Sequence, residues 1–259
     1  MSISVVVVEY HSLDEIRRCI KAFEEAVPGI EIIVSSNSQY NEEEQRRLVE
    51  EIPDCKWRFN EKNGGFAYAM NEGLKVAVGD YLIISNPDCV VNHGIENMAE
   101  FLSSHPEIGA IAPRIIDEYG NLQDSCREYI TLPRFISRQI QRIFKKEEVV
   151  LDKGFNYNRI QTADWVIGAF IMVPRHIYEI TNGLSSDYFM YAEDMDWCTR
   201  IRKAGYEIVY FPEAEIIYKG SRKARQSTKY ASIFIKSLMT YWKKFGFFSI
   251  NPPRKHHIF

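Results

Sequence analysis

The 259-residue chain has no cysteine pair at Cys-x-x-Cys or zinc-finger spacing; its five thiols, Cys19, Cys55, Cys89, Cys126 and Cys198, are odd in number and widely scattered. A disulfide framework and a structural zinc site are therefore excluded, and reduced thiols in a cytoplasmic protein are the plain reading. No apolar run approaches the roughly 18 residues that a membrane span needs. The N-terminal run from Ile3 to Val8 has no basic flank and stops at Glu9, so it reads as a buried strand and not as a signal peptide. There is no Walker phosphate loop and no nucleophile elbow with an accompanying Ser-His-Asp order. The six histidines form no ligand cluster: His11, His93 and His105 stand alone on turns, and His176, His256 and His257 do not combine. A positive excess is missing too. The net charge is -3, which argues against a nucleic-acid partner. That total hides an uneven distribution, because no acid follows Glu215 while ten Lys and Arg residues do. A basic tail thus follows an acidic body.

What is present is an alternation of two periodicities. The β-branched run 3–8 is followed by helical spacing over 14–26, at Ile16, Cys19, Ile20 and Phe23. A second apolar run, 30–34, ends in the polar turn Ser35-Ser36-Asn37-Ser38 and leads to a charged helix over 41–51. A short strand at 56–59, a helix over 65–78 and a strand over 80–85 complete the first hundred residues. This order predicts an α/β fold with a Rossmann-like, mostly parallel central sheet, whose ligands sit beyond the carboxyl ends of the strands. The polar residues at those ends are Glu9, Tyr10 and His11, then Ser36 and Asn37, then Asn86 and Asp88. Beyond about Ala110 the alternation fades, and the charged middle, 137–158, reads as a loop. A strand or strand pair over 162–174, a helix over 193–204 closed by Gly205, and a strand over 206–211 ending at Pro212 follow.

Three constellations carry chemistry. Asn86-Pro87-Asp88 directly follows an apolar strand; the proline stops the strand and presents both polar neighbours at the ligand edge. One carboxylate there, with phosphate oxygens, suffices for Mg²⁺ or Mn²⁺, although the same tripeptide also makes an ordinary turn. Asn63-Gly64-Gly65-Phe66-Ala67, with Asn71 and Gly73 further on, sets glycines before a helix, where backbone N–H groups suit a phosphate or serve merely as a helix start. The third is Glu193-Asp194-Met195-Asp196, three acids in the first turn of a helix that ends in Arg200, Arg202 and Lys203. The helix dipole favours acids there. It does not explain the aromatic approach Tyr188-Phe189-Met190-Tyr191, since apolar surroundings cost a carboxylate its solvation; a carboxylate so placed is a candidate general base.

In this order the stretches resemble the inverting glycosyltransferase family 2, and within it the bacterial rhamnosyltransferase-like group, over roughly residues 3–221. Residues 5–12 look like its opening strand, and Asn63-Gly64-Gly65-Phe66-Ala67 with Asn71-Glu72-Gly73 like its glycine-asparagine helix start. Ser85-Asn86-Pro87-Asp88 looks like the Asn-Pro-Asp form of its DxD site. Trp165-Val166-Ile167-Gly168-Ala169-Phe170 and Phe189 through Asp196 complete the set. The resemblance implies a GT-A fold with a nucleotide-sugar-binding half at 1–112, an acceptor-binding and catalytic half at 113–221, and a C-terminal amphipathic helical tail at 222–259. It implies a dTDP- or UDP-linked sugar donor, a saccharide or lipid-linked saccharide acceptor and a divalent metal, Mg²⁺ or Mn²⁺. On it, Asp194 deprotonates the acceptor hydroxyl with Glu193 assisting, and Asp88 holds the metal. Glu9, Ser36, Asn37, Asn63, Gly65, Asn71, Asn86 and Asp88 border the donor, while Gly168 and Ala169 lack bulk and let donor or acceptor pass.

Two positions depart from the pattern. Ser36-Asn37 stands where the family usually has Asp-Asn, and Tyr218 stands where it often has a histidine beside the metal. The metal then rests on Asp88 and donor phosphates, or Lys219 and Arg222 neutralise the phosphates directly. The tail repeats Tyr230, Phe234, Leu238, Tyr241 or Trp242, and Phe245 on one helical face, with Lys229, Lys236 and Lys243 on another. Such a helix either docks on the inner face of the plasma membrane as a peripheral anchor, or packs on the catalytic domain or forms a dimer contact. Competing readings are an inactive nucleotide-sugar-binding scaffold and a nucleotidyltransferase; against the second, Glu9 to Leu13 lacks the glycine-rich loop such enzymes carry.

Overall fold

Residues of β1 (Ile3–Glu9) are all buried, on both faces of the strand, because β1 lies between two parallel partners. These are β2 (Glu31–Ser36) and β4 (Tyr81–Ser85), and β3 (Lys56–Phe59) extends the row beyond β2. A strand covered on both sides reads as continuous β-branched sequence, which is why Val5 to Val8 do not alternate with polar residues. Val6 and Val8 face one core cluster with Ile33, Leu82 and Ile84; Val5 and Val7 face a second with Ile32, Val34 and Ile83. The computed structural model describes residues 1–145, 155–218, 220 and 227–251.

The remaining strands are β5 (Cys89–His93), β6 (Ile108–Ile116), β7 (Cys126–Arg127), β8 (Gln161–Thr162), β9 (Trp165–Val166), β10 (Phe170–Pro174) and β11 (Glu207–Tyr218). The main sheet runs β3-β2-β1-β4-β10-β6-β11-β5 with β8 on β11, and β7 pairs with β9 apart from it. Among the described residues β10, β5 and β8 run against the other six strands of the main sheet, so it is mixed and mostly parallel. The chain builds outward from β1 through β2 to β3, then returns to place β4 on the other side of β1. That reversal opens a crevice at the carboxyl ends of β1 and β4. Helices α1 (Leu13–Ala26) and α4 (Ile95–Ser104) cover one face, with Ile16, Phe23 and Met98 buried. Helices α3 (Phe66–Leu74), α6 (Arg175–Thr181) and α7 (Glu193–Lys203) cover the other, and α2 (Glu42–Glu51) lies outside, started by an Asn41–Glu44 capping box.

Several boundaries differ from expectation. The helix expected over 65–78 ends at Leu74. The strand expected to stop at Pro212 continues to Tyr218, since residues 212–214 fall in a register break between Phe211 and Glu215 against β6. A proline costs no ladder bond in a bulge. The division expected at 112/113 falls within β6, so one sheet serves both halves. The segment expected to be a loop from residue 137 contains the end of a further helix, α5 (Leu132–Lys145). Its Pro133 occupies the first turn, where a missing N–H is harmless. Residues 146–154 lie outside the described ones; Phe155 and Tyr157 are again buried, against Tyr210.

The tail helix α8 (Thr228–Phe245) packs on the body. Leu238, Tyr241 and Trp242 are buried, the Trp242 indole donates to the Ile130 carbonyl at 2.6 Å, and the Tyr241 and Thr199 hydroxyls meet at 2.7 Å. The expected aromatic stripe is thus spent on the protein's own core. No described helix is long and apolar enough to cross a membrane.

Candidate active site

At the crevice, Glu9 ends β1 fully buried and its carboxylate accepts from four donors: Ser12 N–H at 3.0 Å, Ser38 hydroxyl at 3.0 Å, Tyr40 hydroxyl at 3.3 Å and Ser36 hydroxyl at 2.5 Å. It is a hub that binds the end of β1 to the turn after β2. The Ser36 hydroxyl is spent on that hub. Asn37, also buried, donates to the Gly65 carbonyl at 3.1 Å and accepts from the Asn60 amide at 3.1 Å. Asn37 therefore joins the turn after β2 to the start of α3.

That start is shaped by the chain's own backbone. Gly65 has φ +90°, and a Cβ there would lie 2.1 Å from the Phe189 carbonyl oxygen, which accepts from Phe66 N–H at 2.8 Å. The missing side chain makes room for residue 189. Asn63 accepts from Gly65 N–H at 3.1 Å. Asn71 spends both ends of its amide on the Leu184 backbone, at 2.6 and 3.0 Å, so it steadies the segment that leads to α7.

Beyond β4, Asn86 and Asp88 are both partly exposed. Asn86 N–H donates to the Ala169 carbonyl at 2.9 Å, and the Asn86 amide donates to the Tyr218 hydroxyl at 3.0 Å. Burial, reinforced by the Asp88 charge, pushes the Tyr218 phenol above its ordinary range, so it stays neutral. The strand extension past Pro212 is what brings Tyr218 here. Lys219 and Arg222 lie outside the described residues. Among the described residues no three His, Cys, Asp or Glu side chains group as a metal cage. Asp88 offers one carboxylate at this edge. That donor set suits a hard cation taking its other oxygens from a diphosphate and water.

The three acids of α7 have three different environments. Asp194 is partly exposed and accepts from Gly168 N–H and Met195 N–H, each at 2.8 Å. Glu193 is buried, and its Oε2 has no hydrogen-bond partner among the described residues. Asp196 is fully buried, held by the Tyr188 hydroxyl at 3.1 Å, Arg200 at 2.5 Å and the Lys244 ammonium of α8 at 2.7 Å. Burial raises the carboxyls of both Asp194 and Glu193, and the neighbouring Asp194 charge drives Glu193 further, well above the ordinary range. Two backbone N–H groups oppose the rise at Asp194. Two neighbouring acids are thereby split: Asp194 ionises first while Glu193 stays protonated.

Glu193→Gln tests this. A carboxyl whose folded pKa exceeds its unfolded value contributes full stability below the unfolded value and loses it as pH rises toward the folded one. The wild type should therefore lose stability above about pH 4.5, by up to about 1.4 kcal/mol per pH unit, and the variant should lose markedly less. Denaturant unfolding of both proteins between pH 4.5 and 8 reads the difference; parallel curves would contradict a protonated Glu193.

Gly168 and Ala169 join the two sides of the crevice. Both are buried; a Cβ on Gly168 would lie 3.2 Å from Asp194 Cβ, and the Ala169 carbonyl accepts from Asn86. The lack of bulk at Gly168 admits Asp194 itself. One residue not singled out in the sequence also belongs here. Arg127, on β7, lies 5.3 Å from the Trp165 ring centroid, pairs with Asp124 at 2.9 Å, and its charge draws the Asp194 carboxyl downward. It escaped notice because β7 is two residues long and has no periodicity.

The family described as Glycosyl transferase family 2 matches residues 4–167, which hold the crevice residues from Glu9 to Arg127 but not Gly168, Ala169, α7 or Tyr218. The chain belongs to glycosyltransferase family 2. It is 30% identical over 146 residues to N-acetylglucosaminyl-diphospho-decaprenol L-rhamnosyltransferase of Mycobacterium tuberculosis strain H37Rv, covering 54% of this chain and 47% of that protein. It is 29% identical over 163 residues to the rhamnosyltransferase WbbL of Escherichia coli K12, covering 60% and 59%. The chain thus spans about half the length of the curated relatives it matches. Among solved structures, GalNAc-T7 with UDP, GalNAc and Mn²⁺ superposes at a TM-score of 0.67 and 15% identity, covering 94% of this chain and 48% of the other. The Pyrobaculum calidifontis mannosyltransferase PcManGT, in complex with GDP-Man and Mn²⁺, gives 0.62 and 18%, covering 93% and 64%. At such identities these likenesses show the GT-A fold alone. The chain accordingly carries a family 2 domain on a mostly parallel central sheet.

Proposed function

We propose that the chain transfers a sugar, rhamnose by its likeness to the two rhamnosyltransferases, from a dTDP- or UDP-linked donor to a saccharide or lipid-linked saccharide, with inversion. The observation that carries this is the backbone at Gly168-Ala169, which fixes Asp194 on one side and the Asn86–Asp88 turn on the other. A base and a leaving-group site in fixed relation are what a single displacement needs. Asp194 takes the acceptor hydroxyl proton as that oxygen bonds to the anomeric carbon. The bond from that carbon to the diphosphate breaks, and its electron pair leaves with the nucleoside diphosphate.

The chain's other residues prepare this step. Gly168 N–H orients the Asp194 carboxylate, and protonated Glu193 spares the site a second adjacent charge. Tyr218 orients Asn86 toward the donor's ribose or phosphates, and Glu9, Ser36 and Asn37 brace the wall where the base would lie. Asp88 would hold Mg²⁺ or Mn²⁺, which when bound supplies positive charge to the departing diphosphate. This reading takes the site of action to be cytoplasmic, in keeping with donors of this class.

A panel of UDP-, dTDP- and GDP-sugars with Mg²⁺ or Mn²⁺, read as release of nucleoside diphosphate, tests the reading. Turnover of a dTDP- or UDP-linked sugar is expected. Saturable binding without turnover of any donor would replace the enzyme by a nucleotide-sugar-binding scaffold.

A further inference from the structure

Helix α5 turns two neighbouring faces in different directions. Phe135 packs inward, with its ring 5.8 Å from Trp242 and 6.4 Å from Phe234 of α8. Ile136 and Ile140, one turn apart, point out and are 48% and 49% exposed. Phe248, just past α8, is 76% exposed and borders the same groove of about 610 Å³ with Leu132 and Pro133. Three large apolar side chains therefore share one open surface. Isolated exposed apolar residues are ordinary, but a shared patch marks a contact site.

The charge around the patch says what kind. From Tyr129 to Lys146 the sequence has no acid and carries Arg134, Arg138, Arg142, Lys145 and Lys146; from Lys219 onward it again has none. Both helices that form this face thus lack negative charge, in a chain whose net charge is -3. Glu128, just before this stretch, is paired with Arg134 at 2.6 Å, and Glu147 and Glu148 follow it in the sequence. Exposed apolar side chains on a helix without acids match a bilayer whose headgroups are anionic.

We propose that α5 and Phe248 dock the protein on a negatively charged bilayer. The contact is made by Ile136, Ile140 and Phe248 entering the headgroup boundary, while the arginines stay at the phosphates. It differs from a tail anchor, because the aromatic face of α8 is spent on the protein core. The position fits a lipid-borne acceptor. Leu132 at the head of α5 follows five positions after Arg127, whose charge acts on Asp194, a reach of at most about 17 Å. The docking itself does not depend on the proposed reaction, since it is read without donor or acceptor.

The test is co-sedimentation of the full chain with phosphatidylcholine vesicles, with and without phosphatidylglycerol. Binding is expected to need phosphatidylglycerol and to weaken as salt rises. The triple variant Ile136→Ser, Ile140→Ser, Phe248→Ser should bind at least about 30-fold more weakly, with an unchanged melting temperature, because all three side chains are exposed. The control Ile235→Ser, Met239→Ser, on the exposed face of α8, should bind like the wild type. Three results would overturn the proposal: equal binding by the triple variant, loss in the α8 control instead, or absence of vesicle binding by the wild type. A wild-type dimer that the triple variant dissociates, without vesicle binding, would assign the face to a second copy.

Discussion

Asp194→Asn is expected to lower kcat by about 1,000-fold while leaving donor affinity within a few-fold of the wild type. Removing a general base costs two to four orders of magnitude, and asparagine keeps the shape of aspartate. Its side-chain oxygen can still accept one of the two backbone N–H groups that now hold the carboxylate, so the fold around Gly168 survives. The loss therefore reports the missing proton acceptor and not a displaced residue. The wild-type pH profile adds a sign. Burial raises the Asp194 carboxyl, so its acid limb should lie above the ordinary aspartate range, and kcat should fall as pH drops through it. A variant within tenfold of the wild type at saturating acceptor would remove Asp194 from the base's role.

Asp196→Ala is expected to destabilise the protein by about 3 kcal/mol, measured by denaturant unfolding, because it leaves the largely buried Arg200 guanidinium without its carboxylate and leaves Lys244 only the more distant Asp187. Arg200 and the Lys244 ammonium both converge on this carboxylate, and the Tyr188 hydroxyl loses its acceptor. Pairing the change with Lys244→Met should recover part of the loss, since one cation is then gone. A cost under 1 kcal/mol would show that the network contributes little. The contrast with Asp194 is informative. Two residues apart on α7, one acid is the proposed base and the other anchors the tail helix.

That contrast marks the limit of what the sequence discloses. Three acids at a helix start were legible as a candidate site, but their environments depend on partners far along the chain: Gly168 for Asp194 and Lys244 for Asp196. The parallel strands β1, β2 and β4 were legible because burial on both faces leaves unbroken β-branched runs. The course of β11 was not, since Pro212 reads as a stop until a bulge is seen to absorb it. Helix α5 was hidden for a related reason. Its apolar residues Leu132, Phe135, Ile136, Ile140, Ile143 and Phe144 do recur at helical spacing, but they lie in a charged stretch next to residues with no such pattern. At Gly65 and Gly168 the sequence suggested room for a ligand, and the groups that approach there are Phe189 and Asp194 of the chain itself. The role of Arg127 appears only once β7 and β9 bring it beside Trp165.

The configuration of the newly formed glycosidic bond tests the central claim most directly, because it reports the number of displacements at the anomeric carbon. The measurement is the anomeric carbon–proton coupling of the transferred sugar in the product, by nuclear magnetic resonance, against the same coupling in the donor. One displacement, with Asp194 as sole base, predicts a product anomer opposite to the donor. Retention of the donor's configuration would require an intermediate on the other face and would contradict the account.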